Sequence, residues 1–199
     1  PSPAIEALRA HPDSAEQFWA DVESSGTPLI ESIPDSTDAA ITFLWRGQAK
    51  HIALVLNKLT DPSTLREALL EQVPGTDIWA RTLRLTQAWR GTYSIAVEPL
   101  GGAKAPASPQ ADMRRMRSLA VSDPAQHAAI NAWYDVLAWA GPDPLARERS
   151  GRASVAAAPQ APRFTLPDGA PTGRLIPTTL PNGSRGWWHI PAGPAPEQW

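Results

Sequence analysis

The chain has 199 residues, 42% of them hydrophobic and 19% charged, with a formal net charge of −2 at neutral pH, which places it among globular chains with room for one good core and part of another. That charge, with a pI near 6.1, excludes a global attraction to nucleic acid or to an anionic membrane, so any anionic ligand must be held locally. The lack of cysteine excludes disulfides, a thiolate nucleophile and thiolate-bound metal and fits a reducing cytoplasm; no apolar run approaches the ~20 residues needed to cross a bilayer.

In chain order, Ser14-Ala-Glu-Gln17 is a capping-box pattern. It predicts a helix carrying Phe18, Trp19 and Val22 on one side and ending at Gly26. The period then changes. Residues 40–45, residues 52–56 between Lys50 and Asn57, residues 78–85 and residues 91–97 are short β-branched or aromatic runs bounded by turn residues. Strands at this spacing without long helices between them argue for an antiparallel sandwich rather than a parallel α/β sheet. In 78–85 the residues Arg81, Leu83 and Leu85 share one parity, and Thr82 and Arg84 the other.

A Gly-, Ala- and Pro-rich stretch interrupts regular structure over 100–109. Arg114, Arg115 and Arg117 form a basic cluster near a helix start; with no aromatic residue interleaved to stack on bases, it reads as a solvated helix face. Asp123-Pro124 supplies an N-cap with proline at the first helical position. Ile130, Trp133, Leu137 and Ala140 follow on one apolar face until Gly141-Pro142 stops the helix. Residues 143–172 have little periodicity and read as an extended connector. Residues 174–177 and 186–190 flank Pro181-Asn-Gly183, a hairpin-turn signal because Asn and Gly tolerate positive φ.

No catalytic signature stands out. There is no Gly-x-Ser-x-Gly elbow, and Gly183-Ser-Arg-Gly186 has the wrong spacing. His11, His51, His127 and His189 are scattered, without zinc-site or Ser-His spacing. No glycine-rich phosphate loop is present, so nucleotide cofactors are not expected. The chemistry-bearing features are two Trp-Arg pairs, Trp45-Arg46 and Trp89-Arg90. Each sets a flat apolar surface beside a fixed positive charge, as an anionic aromatic ligand requires. The structural reading competes: Trp79, Trp89 and Tyr93 suit a sandwich core, and a buried arginine needs a partner such as Asp77.

Three signatures, Thr42-Phe-Leu-Trp-Arg-Gly47, Pro74-Gly-Thr-Asp-Ile-Trp79 and Trp89-Arg-Gly-Thr-Tyr93, together resemble the N-terminal domain of the enterochelin (enterobactin) esterases. Phe18-Trp19, Gly26-Thr-Pro-Leu29, Asp143-Pro-Leu145, Ser154 and Pro159-Gln-Ala-Pro162 extend the resemblance over most of the chain. It implies a mainly β fold, an immunoglobulin-like β-sandwich of the early-set type with flanking helices. The implied organisation is an N-terminal helical segment (1–30), the sandwich with added helices (31–142), a linker (143–172) and the first strands of a truncated α/β-hydrolase domain (173–199). Gly173-Arg-Leu175 and Trp187-Trp-His-Ile-Pro191 resemble those strands.

The function implied is cytoplasmic hydrolysis of ferric catecholate siderophore esters, with a Ser-His-Asp-type triad expected beyond Trp199 and this domain walling the substrate cleft. The resemblance assigns no catalytic residue here and makes Trp45, Arg46, Trp89 and Arg90 the substrate-facing candidates. Its partners are an enterobactin-like ferric siderophore and a C-terminal hydrolase domain, not nucleic acid or membrane. No cofactor or metal is implied for catalysis, because the iron belongs to the substrate. Two other readings stay open: a carbohydrate-binding-like early-set module and a pure domain-packing module.

Overall fold

The computed structural model describes residues 2–151, 153–162, 173–181 and 183–190, in two compact units, 1–162 and 163–199. The first is organised by alternation along its longest strands. In β2 (Asp38–Arg46), Ala39, Ile41 and Phe43 turn to one side and Leu44 to the other, and both sides are buried. β2 is therefore a central strand. β1 (Leu29–Ser32) and β5 (Ile78–Thr86) flank it, and β4 (Glu71–Gln72) adds to β5, giving an antiparallel sheet ordered β1-β2-β5-β4.

A second sheet runs β3 (His51–Leu56), β6 (Arg90–Glu98), β9 (Ala153–Ala157), β8 (Glu148–Ser150), with β7 (Ala140–Gly141) also pairing β6. The two sheets enclose the main core. Ile41 and Phe43 from the first meet Ile52, Leu54, Leu56, Tyr93 and Ile95 from the second. At its centre Phe43 and Tyr93 pack edge to face, with ring centroids 4.9 Å apart and planes at 67°, the arrangement the aromatic quadrupole favours. Burying such side chains stabilises by about 1.5–3 kcal/mol each.

Helices cover both outer faces. α1 (Pro3–Ala10) and α2 (Ala15–Ser25) bring Ile5, Leu8 and Val22 against Leu44, Ile78 and Ala80. Ser2 caps α1, accepting from Ile5 N at 3.3 Å, and its hydroxyl donates to Glu31 of β1, whose other oxygen accepts from Ala4 N. On the opposite face α5 (His127–Leu137) brings Val136, with Trp139 just after it, toward Ala53 and Ala96. α4 (Pro109–Val121) lies beside α5, joined by Arg115–Asp135 at 2.7 Å and Ser118–Tyr134 at 3.1 Å. The one-turn α3 (Leu65–Ala68) sits in the β3–β4 connection. No helix among the described residues is long and apolar enough to cross a membrane.

Several expectations need correction. Ser14 does not cap α2; its hydroxyl donates to His11 O at 2.7 Å and closes a 3-10 turn over Pro12–Ser14 instead. α1 carries no such box; it lies within the helical segment expected over 1–30 but is a separate helix that the pattern at Ser14 does not mark. Ala140 leaves the α5 face and pairs with Ala96 as part of β7. Most of all, residues 143–157 are not an extended connector: β8 and β9 lie in the second sheet, with Ala156 wholly buried. β9, Ala-Ser-Val-Ala-Ala, carries a single strongly apolar residue. Its place comes from pairing with β6, not from its own pattern.

The second unit, as described, is a hairpin of β10 (Arg174–Thr179) and β11 (Arg185–Ile190). Leu180 N to Ser184 O and Gly183 N to Leu180 O close the turn, with Gly183 at φ 79°. Asn182 of the expected turn signal and residues 163–172 and 191–199 lie outside the described residues.

Candidate functional site

The two Trp-Arg-Gly signatures adopt one local design. On a strand, residues i and i+2 share a face, so a glycine two places after a tryptophan leaves the indole room to lie back along the chain. A Cβ at Gly47 would sit 2.8 Å from the Trp45 ring, and one at Gly91 would sit 2.4 Å from the Trp89 ring. Both rings also pack on the main core. The arginine between points to the opposite side, where it is ion-paired.

At the first corner, Trp45 stands opposite Trp79. Trp79 Nε1 donates to Gly47 O at 3.1 Å, and Gly47 N to Asp77 O at 2.9 Å. Arg46 Nε donates to both oxygens of Asp77 at 3.0 Å, while its terminal nitrogens hold Glu16 of α2. The hydrogen bonds to Glu16 and then Asp77 push the guanidinium well above its ordinary range, and Arg46 in turn holds the Glu16 carboxyl below the usual carboxylate value. Asp77 is the partner the sequence suggested; Glu16 gave no signal, because only the packing of α2 on the first sheet brings it to Arg46. Beside this corner is a cleft of about 170 Å³, lined by Trp19, Glu23, Leu44, Trp45, Arg46 and the 143–145 loop.

The second corner lies at the other end of the sandwich. Asp38 pairs with Thr86 and Arg46 with Ile78, and Gln87 N donates to Thr37 O at 2.8 Å. Trp89 and Arg90 therefore sit at the Asp38 end of β2, eight residues from Arg46, or ~26 Å at ~3.3 Å per residue. The structure does not bring the two Trp-Arg pairs together, and four residues so placed cannot line one small cleft. Trp89 N donates to Thr86 O and Ala158 N to Trp89 O, both at 2.9 Å. Arg90 is ion-paired with Glu148 of β8, a residue in the stretch read as connector.

Between the corners lies a buried polar hub. Asp143 is 2% exposed. Its Oδ2 accepts from Thr27 Oγ1 at 2.6 Å and Tyr93 Oη at 2.8 Å, and its Oδ1 from Leu145 N at 2.9 Å. Its own N donates to Ser154 Oγ at 2.9 Å. Two segments distant in sequence are thus tied to one carboxylate, with the Leu145 amide as its third donor and Ser154 held by the backbone beside it, which is how a buried charge becomes tolerable. Burial first, and the adjacent Asp143 charge second, push the Tyr93 phenol far above its ordinary value. Ser154 is fully buried and its oxygen is used as an acceptor. Among the described residues, no three His, Asp or Glu side chains gather to hold a metal.

This framework can be compared with known proteins. Residues 40–166 match the family described as enterochelin esterase, N-terminal. The chain belongs to that family. The match runs from within β2 through β9 and takes in both Trp-Arg-Gly signatures and, of the hub, Tyr93, Asp143, Leu145 and Ser154, but not Thr27. The esterase N-terminal region is 34% identical over 106 residues to iron(III) salmochelin esterase of Escherichia coli O6:H1, covering 49% of this chain and 26% of that protein. It is 35% identical over 104 residues to iron(III) enterobactin esterase of Dickeya dadantii, covering 48% and 24%. These alignments span about a quarter of the length of the curated relatives. The crystal structure of ferric enterobactin esterase from Salmonella typhimurium superposes with a TM-score of 0.55 at 19% identity, over 86% of this chain and 45% of that one. The Shigella flexneri enterobactin esterase gives 0.52 at 19%, over 84% and 43%. At that identity the likeness shows the fold: mainly β sheets with flanking helices.

Proposed function

We propose that this chain is the non-hydrolytic part of an esterase that cleaves ferric catecholate siderophores, in the cytoplasm, to release iron. The family match over residues 40–166 carries the reading, and relatives named as salmochelin and enterobactin esterases give the substrate class. In this reading the sandwich is immunoglobulin-like, of the early-set type, and the β10–β11 hairpin opens a hydrolase domain. Acyl transfer to a serine and hydrolysis of the acyl-enzyme belong to that domain, outside residues 1–199.

The sandwich walls the substrate cleft. Of the two corners, we assign Trp89 and Arg90 to the substrate, because Arg90 is matched by one carboxylate and Arg46 by two. Asn57 N donates to Thr92 O beside this corner, and the neighbouring Lys58 forms no ion pair among the described residues, leaving local positive charge for a catecholate. Trp45 and Arg46 act as a structural corner. Steady-state hydrolysis of ferric enterobactin by the full-length enzyme tests the assignment. Arg90→Ala should raise KM about tenfold, as expected for losing a charged hydrogen bond of ~1.5 kcal/mol, with melting unchanged; Arg46→Ala should lower the melting temperature and leave KM alone. The opposite pattern would exchange the roles of the corners, and tighter binding of neutral glucans than of the siderophore would support a carbohydrate module.

A further inference from the structure

The edge of the first sheet is only partly covered. β4 pairs with Trp79 and Ala80 of β5 and no further, so among the described residues the strand from Arg81 to Thr86 has a neighbour, β2, on one side alone. The direction of its backbone groups follows from the ladder. Val73 N donates to Ile78 O on the β4 side, whereas Gly47 N to Asp77 O and Gln87 N to Thr37 O continue the ladder on the β2 side. Backbone groups alternate with period two along an antiparallel strand. Thr82, Arg84 and Thr86 therefore turn their N–H and C=O groups outward. Thr86 O is taken by Trp89 N; among the described residues the other five groups have no partner. Such a row is a template for strand addition.

Side chains specify the strand that fits. Leu83 and Leu85 lie on the core side, only partly buried. Arg81 shares that side; its Nε is buried without a hydrogen-bond partner among the described residues, and its carboxylate neighbour, Glu71, is 4.0 Å away. On the other side Arg84 is held by Asp38 at 2.7 Å yet keeps 64% of its side chain exposed. The geometry points to β5 as a docking edge for an extended segment of a partner protein that alternates apolar and acidic residues. Its apolar residues stand opposite Leu83 and Leu85, and its carboxylates opposite Arg81 and Arg84. A second copy of this chain fits poorly: symmetric pairing centred on the open edge sets Arg84 against Arg84, and like charges directly opposite are unfavourable.

The probe is acetyl-Thr-Val-Glu-Val-Thr-Glu-amide, fluorescein-tagged for anisotropy, with a control in which both Glu are Lys. In the chain alone, amide exchange read by NMR should be fast at Thr82 and Arg84, and saturating peptide should slow it at least tenfold. The Lys peptide should bind at least tenfold more weakly. Arg84→Pro removes an outward N–H and leaves the β2 ladder intact, since proline is tolerated on an edge; it should cost tenfold or more in affinity beyond Arg84→Gln, which keeps the N–H. Slow exchange at these amides without peptide, equal binding of the Lys peptide, or unchanged binding by folded Arg84→Pro would overturn the proposal. So would a dimer in sedimentation that Arg84→Pro dissolves. If Arg84→Pro does not fold, the wild-type exchange and Lys-peptide measurements decide alone.

Discussion

Removing the Asp143 carboxylate should expose how much of the fold hangs on one buried acceptor. Asp143→Ala takes away three accepted hydrogen bonds at 2.6, 2.8 and 2.9 Å and strands the Thr27 and Tyr93 hydroxyls and the Leu145 amide away from water. A buried donor left unpaired costs about 1–3 kcal/mol; with partial rescue by rotated hydroxyls or an entering water, we expect a loss of about 4 kcal/mol. Against a usual total of about 5–15 kcal/mol, that is severe. Tyr93→Phe in the wild type should cost about 1–2 kcal/mol, because it deletes one bond and leaves the carboxylate two.

The decisive feature is a change of sign. In the Asp143→Ala background the Tyr93 hydroxyl has already lost its acceptor, so Tyr93→Phe should be neutral or stabilising there. The difference between backgrounds is a coupling of about 1–2 kcal/mol. Urea unfolding of the four proteins, followed by tryptophan fluorescence, measures it. Additive effects, or a loss below about 1 kcal/mol for Asp143→Ala, would refute the hub as a structural keystone.

The two glycine corners should behave differently although their sequences match. Gly91 has ordinary backbone geometry and is required only by the Trp89 ring, whereas Gly47 has both a ring contact and φ 131°. Each Gly→Ala change should cost about 1–3 kcal/mol; adding Trp89→Ala should abolish the cost at Gly91, while Trp45→Ala should leave most of it at Gly47, read by the same urea assay. The raised pKa of Tyr93 means that the folded chain keeps a proton the unfolded chain gives up above about pH 10. Its stabilising contribution is full below that pH and fades as pH rises, so Tyr93→Phe should flatten the alkaline limb of stability against pH. Glu98 runs the other way. Lys50 at 2.8 Å, and then His51, hold its carboxyl below the usual value, so its contribution is present above the ordinary glutamate pKa and lost as pH falls through the depressed one. Glu98→Gln should shrink the acid loss by no more than about 1 kcal/mol, and the effect should fade in high salt.

The long strands were legible because their patterns are local. β2, β3, β5 and β6 each carry enough β-branched, aromatic or alternating residues to be placed within two residues, and α5 is announced by its apolar face, whereas Asp123-Pro124 caps the 3-10 turn that leads into it. The hairpin of the second unit, likewise, stands on its own turn residues. The Trp-Arg-Gly signatures were visible as chemistry, and even the Asp77 partner could be named, since a partly buried arginine requires a carboxylate.

Only the tertiary structure decided the rest. β8 and β9 carry no pattern of their own and become strands because β6 offers an open ladder. Glu16 and Glu148 neutralise the two arginines from segments 30 and 58 residues away, and Asp143 finds its hydroxyl partners 116 and 50 residues upstream. The separation of the corners is the clearest case. Two identical tripeptides suggest one site, but β2 runs the length of the sandwich between them, and strand register, a property of pairing and not of composition, sets them at opposite ends.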